Sequence, residues 1–126
     1  MVKNKHFLPA YVFGVLLLIG ASLPSSGIRK IQNIHRFLDI VFSEFSLHFF
    51  GFGIFAGLLA WGYYQRKSIG IFLKAGMISL CFGFLIEVYH YFLPHRSAEL
   101  TDLALDAVGI ALVLGLFWLV IIRRNL

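Results

Sequence analysis

The stretch EVYHYFLPHRSAELTDLALD, residues 87–106, places ionisable side chains at the junction between two strongly apolar segments. An ionisable side chain at bilayer depth costs roughly 2.5 to 3.5 kcal/mol, so such residues usually pair with one another or line a polar cavity. Leu93 and Pro94 interrupt the helical pattern, because proline lacks a backbone donor and disfavours helix in the residue before it. The stretch therefore predicts a tight turn between two membrane-spanning helices.

The composition of the whole chain indicates the same class. Of its 126 residues, 60% are hydrophobic and only 13% are charged, and the mean hydropathy is +0.85. A soluble domain carries roughly a quarter charged residues, so this chain has too few to cover a globular surface. The net charge of +5 is divided among short basic groups between the apolar runs. Such groups are typical of membrane anchors, so we expect a lipid bilayer as partner and no nucleic acid.

Four apolar runs are present, at about residues 7–23, 47–64, 69–92 and 103–122. Each approaches the roughly 20 residues that a helix needs to cross a bilayer. The runs lack the alternation of membrane strands, and they are too few for a closed barrel. We therefore predict an all-α fold, a polytopic bundle of four transmembrane helices, with residues 1–126 forming a single domain.

The first run also has features of a secretory signal. Lys3 and Lys5 precede it, and small residues occupy positions 20–22 near its end. Leu23 and Pro24 follow without a small-x-small cleavage site, and the apolar stretch is long for a signal core. We expect the run to be retained as a span.

Small residues predict where the helices approach one another, because lipid provides no hydrophobic drive for helix association. Gly53 and Gly57 are four residues apart on the second span, and Ala107, Ala111 and Gly115 recur every four residues on the fourth. We interpret both stripes as packing surfaces within the bundle rather than as dimerisation surfaces, and the sequence leaves the oligomeric state open.

Helical spacing places the ionisable residues on shared faces. Glu87 and His90 are three residues apart, and Asp102 and Asp106 are four apart, so each pair lies on one face of its helix. His48 begins the second span, and it lies at the same end of the bundle if consecutive spans alternate in direction. We predict that these side chains converge.

Arg96, in the turn, is the fixed positive charge nearest to these carboxylates. Its planar guanidinium can engage a carboxylate or a phosphate through two parallel hydrogen bonds. Pairing with Asp102 or Glu87 would fasten the hairpin, and binding of an anionic headgroup or substrate would be functional; the sequence leaves both open. Glu99 is interpreted as a residue that caps the fourth helix or faces solvent.

Motifs for cofactors and covalent catalysis are missing from the sequence. Cys81 is the single cysteine and lies within an apolar run, so neither a disulfide nor a thiol-based metal motif forms within the chain. There is no His-Glu-x-x-His pair, no nucleophile motif and no phosphate-cradling glycine loop. We therefore predict no metal, no other cofactor and no catalytic residue, and we lean against an enzyme.

The polar residues resemble the signature of the VanZ-like family, small integral membrane proteins related to the teicoplanin-resistance accessory protein. That signature combines an acidic residue and a His-aromatic helix start with Glu-x-x-Gln, Pro-x-Arg and Asp-x-x-x-Asn before a glycine. The corresponding residues here are Glu44, His48, Phe49, Glu87, Pro94, Arg96, Asp102 and Gly109. The resemblance covers about Glu44 to Gly115.

Three positions depart from that signature. His90 stands where the family pattern has Gln, Asp106 where it often has Asn, and Phe45 where Lys is frequent. A titratable or charged side chain therefore replaces a neutral amide at two positions, and a cation is lost at the third.

The resemblance implies a bacterial cytoplasmic-membrane protein of the cell envelope, with a possible role in susceptibility to glycopeptides such as teicoplanin. Our hypothesis is an accessory protein whose outer-leaflet pocket binds an anionic lipid or a lipid-linked cell-wall precursor. The residues assigned to this pocket are Glu44, His48, Glu87, His90, Arg96, Asp102 and Asp106.

Two alternatives belong to other functional classes. In a membrane enzyme, Glu87 or Asp102 would act as general base with assistance from His48 or His90, around a metal such as zinc or manganese. In a proton or ion pathway, the His and carboxylate side chains would form a relay. The sequence supports a relay less well, because a continuous path needs ionisable residues along the spans and here they are concentrated at one end.

Basic residues in short loops predict the orientation, because Lys and Arg are retained on the cytoplasmic side. One side carries Lys3, Lys5, Arg66, Lys67, Arg123 and Arg124, and the other carries Arg29, Lys30, Arg36 and Arg96. We therefore expect both termini in the cytoplasm, with residues 24–46 and 93–101 outside.

Reporter fusions test this orientation. We expect green fluorescent protein fused after Asn125 to fluoresce and alkaline phosphatase fused there to be inactive, because each reporter works on only one side of the membrane. The same reporters inserted after Ser97 provide the control and should show the reverse pattern. An active phosphatase at Asn125 would invert the topology.

Overall fold

The computed structural model describes residues 2–22, 44–65, 69–94 and 100–125. Within these ranges every regular element is helical, which confirms the all-α prediction. The elements are a 3-10 helix at Val2–Phe7 and four α-helices: α1 (Leu8–Ser22), α2 (Glu44–Gln65), α3 (Ile71–Tyr91) and α4 (Leu100–Asn125).

All four helices are long and apolar enough to cross a membrane, as predicted. The spans run Lys5–Ser22, Ser46–Gln65, Ile71–Tyr91 and Leu100–Arg124. The fourth begins earlier than the predicted residue 103, because the polar residues that follow the turn already belong to α4. Asp102 lies in its first turn, where a negative charge is stabilised by the helix dipole.

The α2 helix is central and contacts the other three, most extensively α4. Glycine allows this close approach: a Cβ atom added to Gly109 would overlap the carbonyl oxygen of Phe49. On the opposite side of the contact, a Cβ atom on Gly53 would lie 2.9 Å from the carbonyl oxygen of Gly109. The two backbones therefore touch with no side chain between them.

The glycine stripe on α2 packs as predicted, since Gly53 and Gly57 both face Val113 of α4. The stripe predicted on α4 is wrong. Ala111 is exposed, and a Cβ atom on Gly115 would meet no atom within 4 Å. The contact face of α4 lies instead along Gly109 and Val113, because that face carries the residue without a side chain at the point of closest approach.

Local signals explain where α3 begins and ends. Gly70 precedes it with φ 68°, a left-handed conformation that glycine adopts without strain. After Tyr91, the N–H groups of Phe92 and Leu93 donate to carbonyl oxygens of the last helical turn, and Pro94 follows. The predicted break at Leu93 and Pro94 is therefore confirmed, and α3 and α4 form a hairpin with its polar turn at one end of the bundle.

Substitution of Gly109 tests the contact between α2 and α4. We expect Gly109→Ala to lower the free energy of unfolding by about 1 to 3 kcal/mol, because the new methyl group meets backbone that cannot rotate away. Gly115→Ala is the matched control, and it should be neutral or stabilising through its higher helix propensity. Thermal unfolding in detergent measures both. Equal melting temperatures for the two variants would contradict this packing.

Candidate functional site

Buried polar side chains gather where α1 and α3 end and α2 and α4 begin. Among the described residues, the buried polar and charged side chains are His48, Ser79, Glu87, His90, Asp102 and Asp106. All except Ser79 lie within the terminal turns at this end. We call these five residues, without Ser79, the polar cluster.

His48 of α2 lies between two carboxylates of α4. Its Nδ1–H donates to Oδ1 of Asp106 across 2.8 Å, and both side chains are buried. Its Nε2 lies 3.5 Å from Oδ2 of Asp102. Because Asp102 and Asp106 are one helical turn apart, they face the two ring nitrogens and fix the orientation of the imidazole.

Asp106 of α4 is fully enclosed between its own helix, α2 and α3. Its exposed fraction is 0%, and its second oxygen, Oδ2, has no hydrogen-bond partner among the described residues. A Cβ atom on Gly83 of α3 would lie 2.7 Å from that oxygen. Gly83 therefore provides the space for this carboxylate, while the ring of Phe52 stacks on His48 with a centroid distance of 6.1 Å.

His90 connects α3 to α1. Its Nε2–H donates to the carbonyl oxygen of Ala21 across 3.0 Å, and its Nδ1 lies 3.7 Å from Oε1 of Glu87. Beside it, the hydroxyl groups of Ser22 and Tyr89 are 3.1 Å apart. The end of α1 is thus held to α3 by polar contacts.

Two cavities adjoin at this end of the bundle. A cavity of about 40 Å³, enough for a water molecule, has His48, His90 and Ala21 in its wall. An apolar groove of about 350 Å³ runs between α1 and α2, with Phe13, Phe50 and Ile54 among its lining residues. The two cavities share Leu17 and Leu47 as walls.

The donor atoms of three cluster residues are close enough to hold one metal ion. His48, Glu87 and Asp102 each offer a ligand atom, and these atoms all lie within 4.8 Å of one another. The residues belong to α2, α3 and α4, and all three are buried.

The structure brings together five of the seven residues assigned from sequence, the members of the polar cluster. Glu44 begins α2, but its side chain lies outside the described residues, as does Arg96. The role of each residue in binding stays a prediction. Sequence reasoning missed Gly83, although it lies one turn before Glu87 on the same face. It also missed Ala21, which contributes a backbone carbonyl and so carries no side-chain signal.

A double-mutant cycle tests the pair formed by His48 and Asp106. We expect His48→Leu to destabilise the protein by about 3 to 5 kcal/mol, because Asp106 would keep a buried charge without its partner. His48→Leu combined with Asp106→Leu should recover most of that loss, and Asp106→Asn should cost less because its amide oxygen still accepts. Denaturation in detergent gives the coupling energy. Additive losses would show that the two side chains do not interact.

Comparison with known families matches residues 21–122 to the family described as VanZ/LLP1. No curated protein and no solved structure matches the chain significantly. The matched range extends from the end of α1 through most of α4 and includes the whole polar cluster. The resemblance inferred from the sequence is therefore confirmed. With four helices among its described residues long and apolar enough to span a bilayer, the chain belongs to the VanZ/LLP1 family of membrane proteins.

Proposed function

We propose that this protein binds the phosphate-bearing headgroup of an anionic envelope lipid or lipid-linked cell-wall precursor at the polar cluster. The lipid chain would lie in the apolar groove between α1 and α2. The observation that carries this proposal is the adjacency of the two cavities, which share Leu17 and Leu47. An amphiphile needs a polar site and an apolar groove in contact, and this end of the bundle offers both.

The groove suits a hydrocarbon chain in size and chemistry. Its volume of about 350 Å³ falls within the roughly 300 to 1,000 Å³ of typical ligand pockets. Its lining is almost entirely apolar, with Ser46 as the one hydroxyl-bearing wall residue. Because the residues of α2 that line the groove run from Ser46 to Ile54, a chain in it would run along α2 towards the bilayer centre.

The charge expected around the polar cluster favours an anionic headgroup. Residues 23–43 join α1 to α2, and residues 95–99 join α3 to α4, so both segments start and finish at this end. By sequence they carry Arg29, Lys30, Arg36 and Arg96. Basic residues next to membrane helices attract anionic lipid. Arg96 remains the predicted headgroup contact, since its guanidinium matches the geometry of a phosphate.

The expected orientation gives this binding site its biological setting. With both termini in the cytoplasm, the polar cluster faces the outer leaflet of a bacterial cytoplasmic membrane. Lipid-linked precursors of the cell wall are exposed on that side, where glycopeptides also act. Binding of a precursor there would account for an effect on teicoplanin susceptibility.

Hydrolysis of the lipid is the second candidate function, and the hydrogen bond from His48 to Asp106 favours it. A carboxylate that accepts from one ring nitrogen orients the other nitrogen as a general base.

The hypothesis of a proton or ion relay receives less support. Among the described residues, buried polar side chains other than Ser79 are confined to one end, so they form no path across the bundle.

Filling the groove tests the lipid proposal. We expect purified protein to bind phosphatidylglycerol more tightly than phosphatidylcholine in native mass spectrometry, and Ile54→Trp to weaken that binding about tenfold, or about 1.4 kcal/mol. The matched control is Ile78→Trp on α3, because Ile54 and Ile78 are similarly exposed at 45% and 42%. Ile78 does not line the groove, so its variant should bind as the wild type does.

Headgroup recognition is tested in the same experiment with Arg96→Lys. Loss of the bidentate contact should reduce the preference for phosphatidylglycerol and leave phosphatidylcholine binding unchanged. Equal binding of both lipids by the wild type, with no effect of Ile54→Trp, would overturn the proposal. Recovery of cleaved lipid after incubation with the wild type would assign hydrolysis instead.

A further inference from the structure

The polar cluster contains three potential metal ligands that do not belong to any local sequence motif. One nitrogen of His48 and one oxygen each from Glu87 and Asp102 lie within 4.8 Å of one another. These residues come from three helices whose ends are fixed by the packing of the bundle. Three protein ligands leave further coordination positions for water or a substrate, as in catalytic zinc sites.

The hydrogen bond from His48 to Asp106 prepares the imidazole as a ligand. Its Nδ1–H donates to Oδ1 of Asp106 at 2.8 Å, so in the neutral ring the lone pair is on Nε2. Histidines that bind metals almost always donate their other ring N–H to a carboxylate, a carbonyl or water in this way. Asp106, fully buried and outside the ligand set, is therefore a positioning residue.

The position of Nε2 suits a bound cation. It faces Oδ2 of Asp102 at 3.5 Å, beyond the 2.7 to 3.2 Å range of an ordinary N–H···O hydrogen bond. A proton on Nε2, or a metal ion between the two atoms, makes this contact favourable. Ligand atoms about 2.0 to 2.2 Å from a tetrahedral zinc ion are separated by about 3.3 to 3.6 Å. The 3.5 Å separation fits that edge of a coordination shell, and the other ligand atoms, which lie within 4.8 Å, would move closer around the ion.

From this geometry we propose that the protein binds one divalent transition-metal ion, Zn²⁺ or Mn²⁺, through Nε2 of His48 and the carboxylates of Glu87 and Asp102. A mixed imidazole and carboxylate donor set suits these ions. The proposal replaces our sequence-based expectation of no metal, and it does not depend on lipid binding. An open coordination position on the ion would also accept a phosphate oxygen.

Metal titration of the purified full-length chain tests the site without lipid. After treatment with a chelator, we expect the protein to bind one Mn²⁺ per chain, measured as loss of the free-ion signal in electron paramagnetic resonance, and Zn²⁺ to displace it. His48→Gln and Asp102→Asn should weaken Mn²⁺ binding at least about 100-fold. Asp106→Asn should weaken it about 10- to 100-fold, as expected for a positioning residue.

His6→Gln is the matched control, since His6 packs against Trp61 at the opposite end and should not affect Mn²⁺ binding. Pulsed resonance on the Mn²⁺-loaded wild type provides a measurement that needs no variant, and it should show coupling to an imidazole nitrogen. A spectrum of oxygen ligands alone, or no saturable uptake of either ion by folded protein, would overturn the site. Variants of His48 and Asp102 that bind Mn²⁺ as the wild type does would overturn it equally.

Lipid binding is measured separately with and without chelator, so failure of the two proposals can be distinguished. Phosphatidylglycerol binding that persists without metal leaves the groove assignment intact. Metal uptake without any lipid preference leaves the metal site intact.

Discussion

The structure depends on the direct contact between the backbones of α2 and α4. Gly109 lies against the carbonyl of Phe49, which leaves no room for a side chain at either helix surface. His48 precedes Phe49, and Asp106 is one turn before Gly109. The same close approach therefore sets the 2.8 Å distance between Nδ1 of His48 and Oδ1 of Asp106. A wider helix separation would cost both the apolar contact and the hydrogen bond.

This arrangement also explains how the bundle tolerates ionisable groups among apolar helices. The polar cluster lies in the terminal turns, and its members face other helices while apolar residues face outward. His90 donates to the carbonyl of Ala21, and His48 donates to Asp106. The surface away from the cluster is apolar, with Leu73 and Leu85 exposed at 72% and 61%. Hydrogen bonds between helices thus stabilise several of the buried polar groups, and the outward apolar surface suits lipid.

Sequence reasoning predicted those parts of the structure that depend on periodicity and composition. Four apolar runs of sufficient length give four helices, and the break at Pro94 follows from its missing backbone donor. The alternating direction of consecutive spans was enough to predict that His48 lies at the same end as Glu87 and Asp106. The rotation of each helix about its own axis, which decides the face that packs, could not be predicted. On α4, Ala107, Ala111 and Gly115 form an equally valid small-residue stripe, and only packing against Phe49 selects the face of Gly109.

The same limitation applies to the chemistry of the site. A motif search finds ligands that lie close in sequence, whereas His48, Glu87 and Asp102 are separated by long apolar segments and meet only after the helices pack. The carboxylates beside His48 bear differently on the two proposals, because they favour a metal ion and disfavour a phosphate. Carboxylates repel a phosphate, so an anionic headgroup needs a positive charge at the cluster. Arg96 would place that charge at the rim, and a metal ion would place it within the cluster. These two sources predict different depths for the phosphate, above the helix ends in the first case and against His48 in the second.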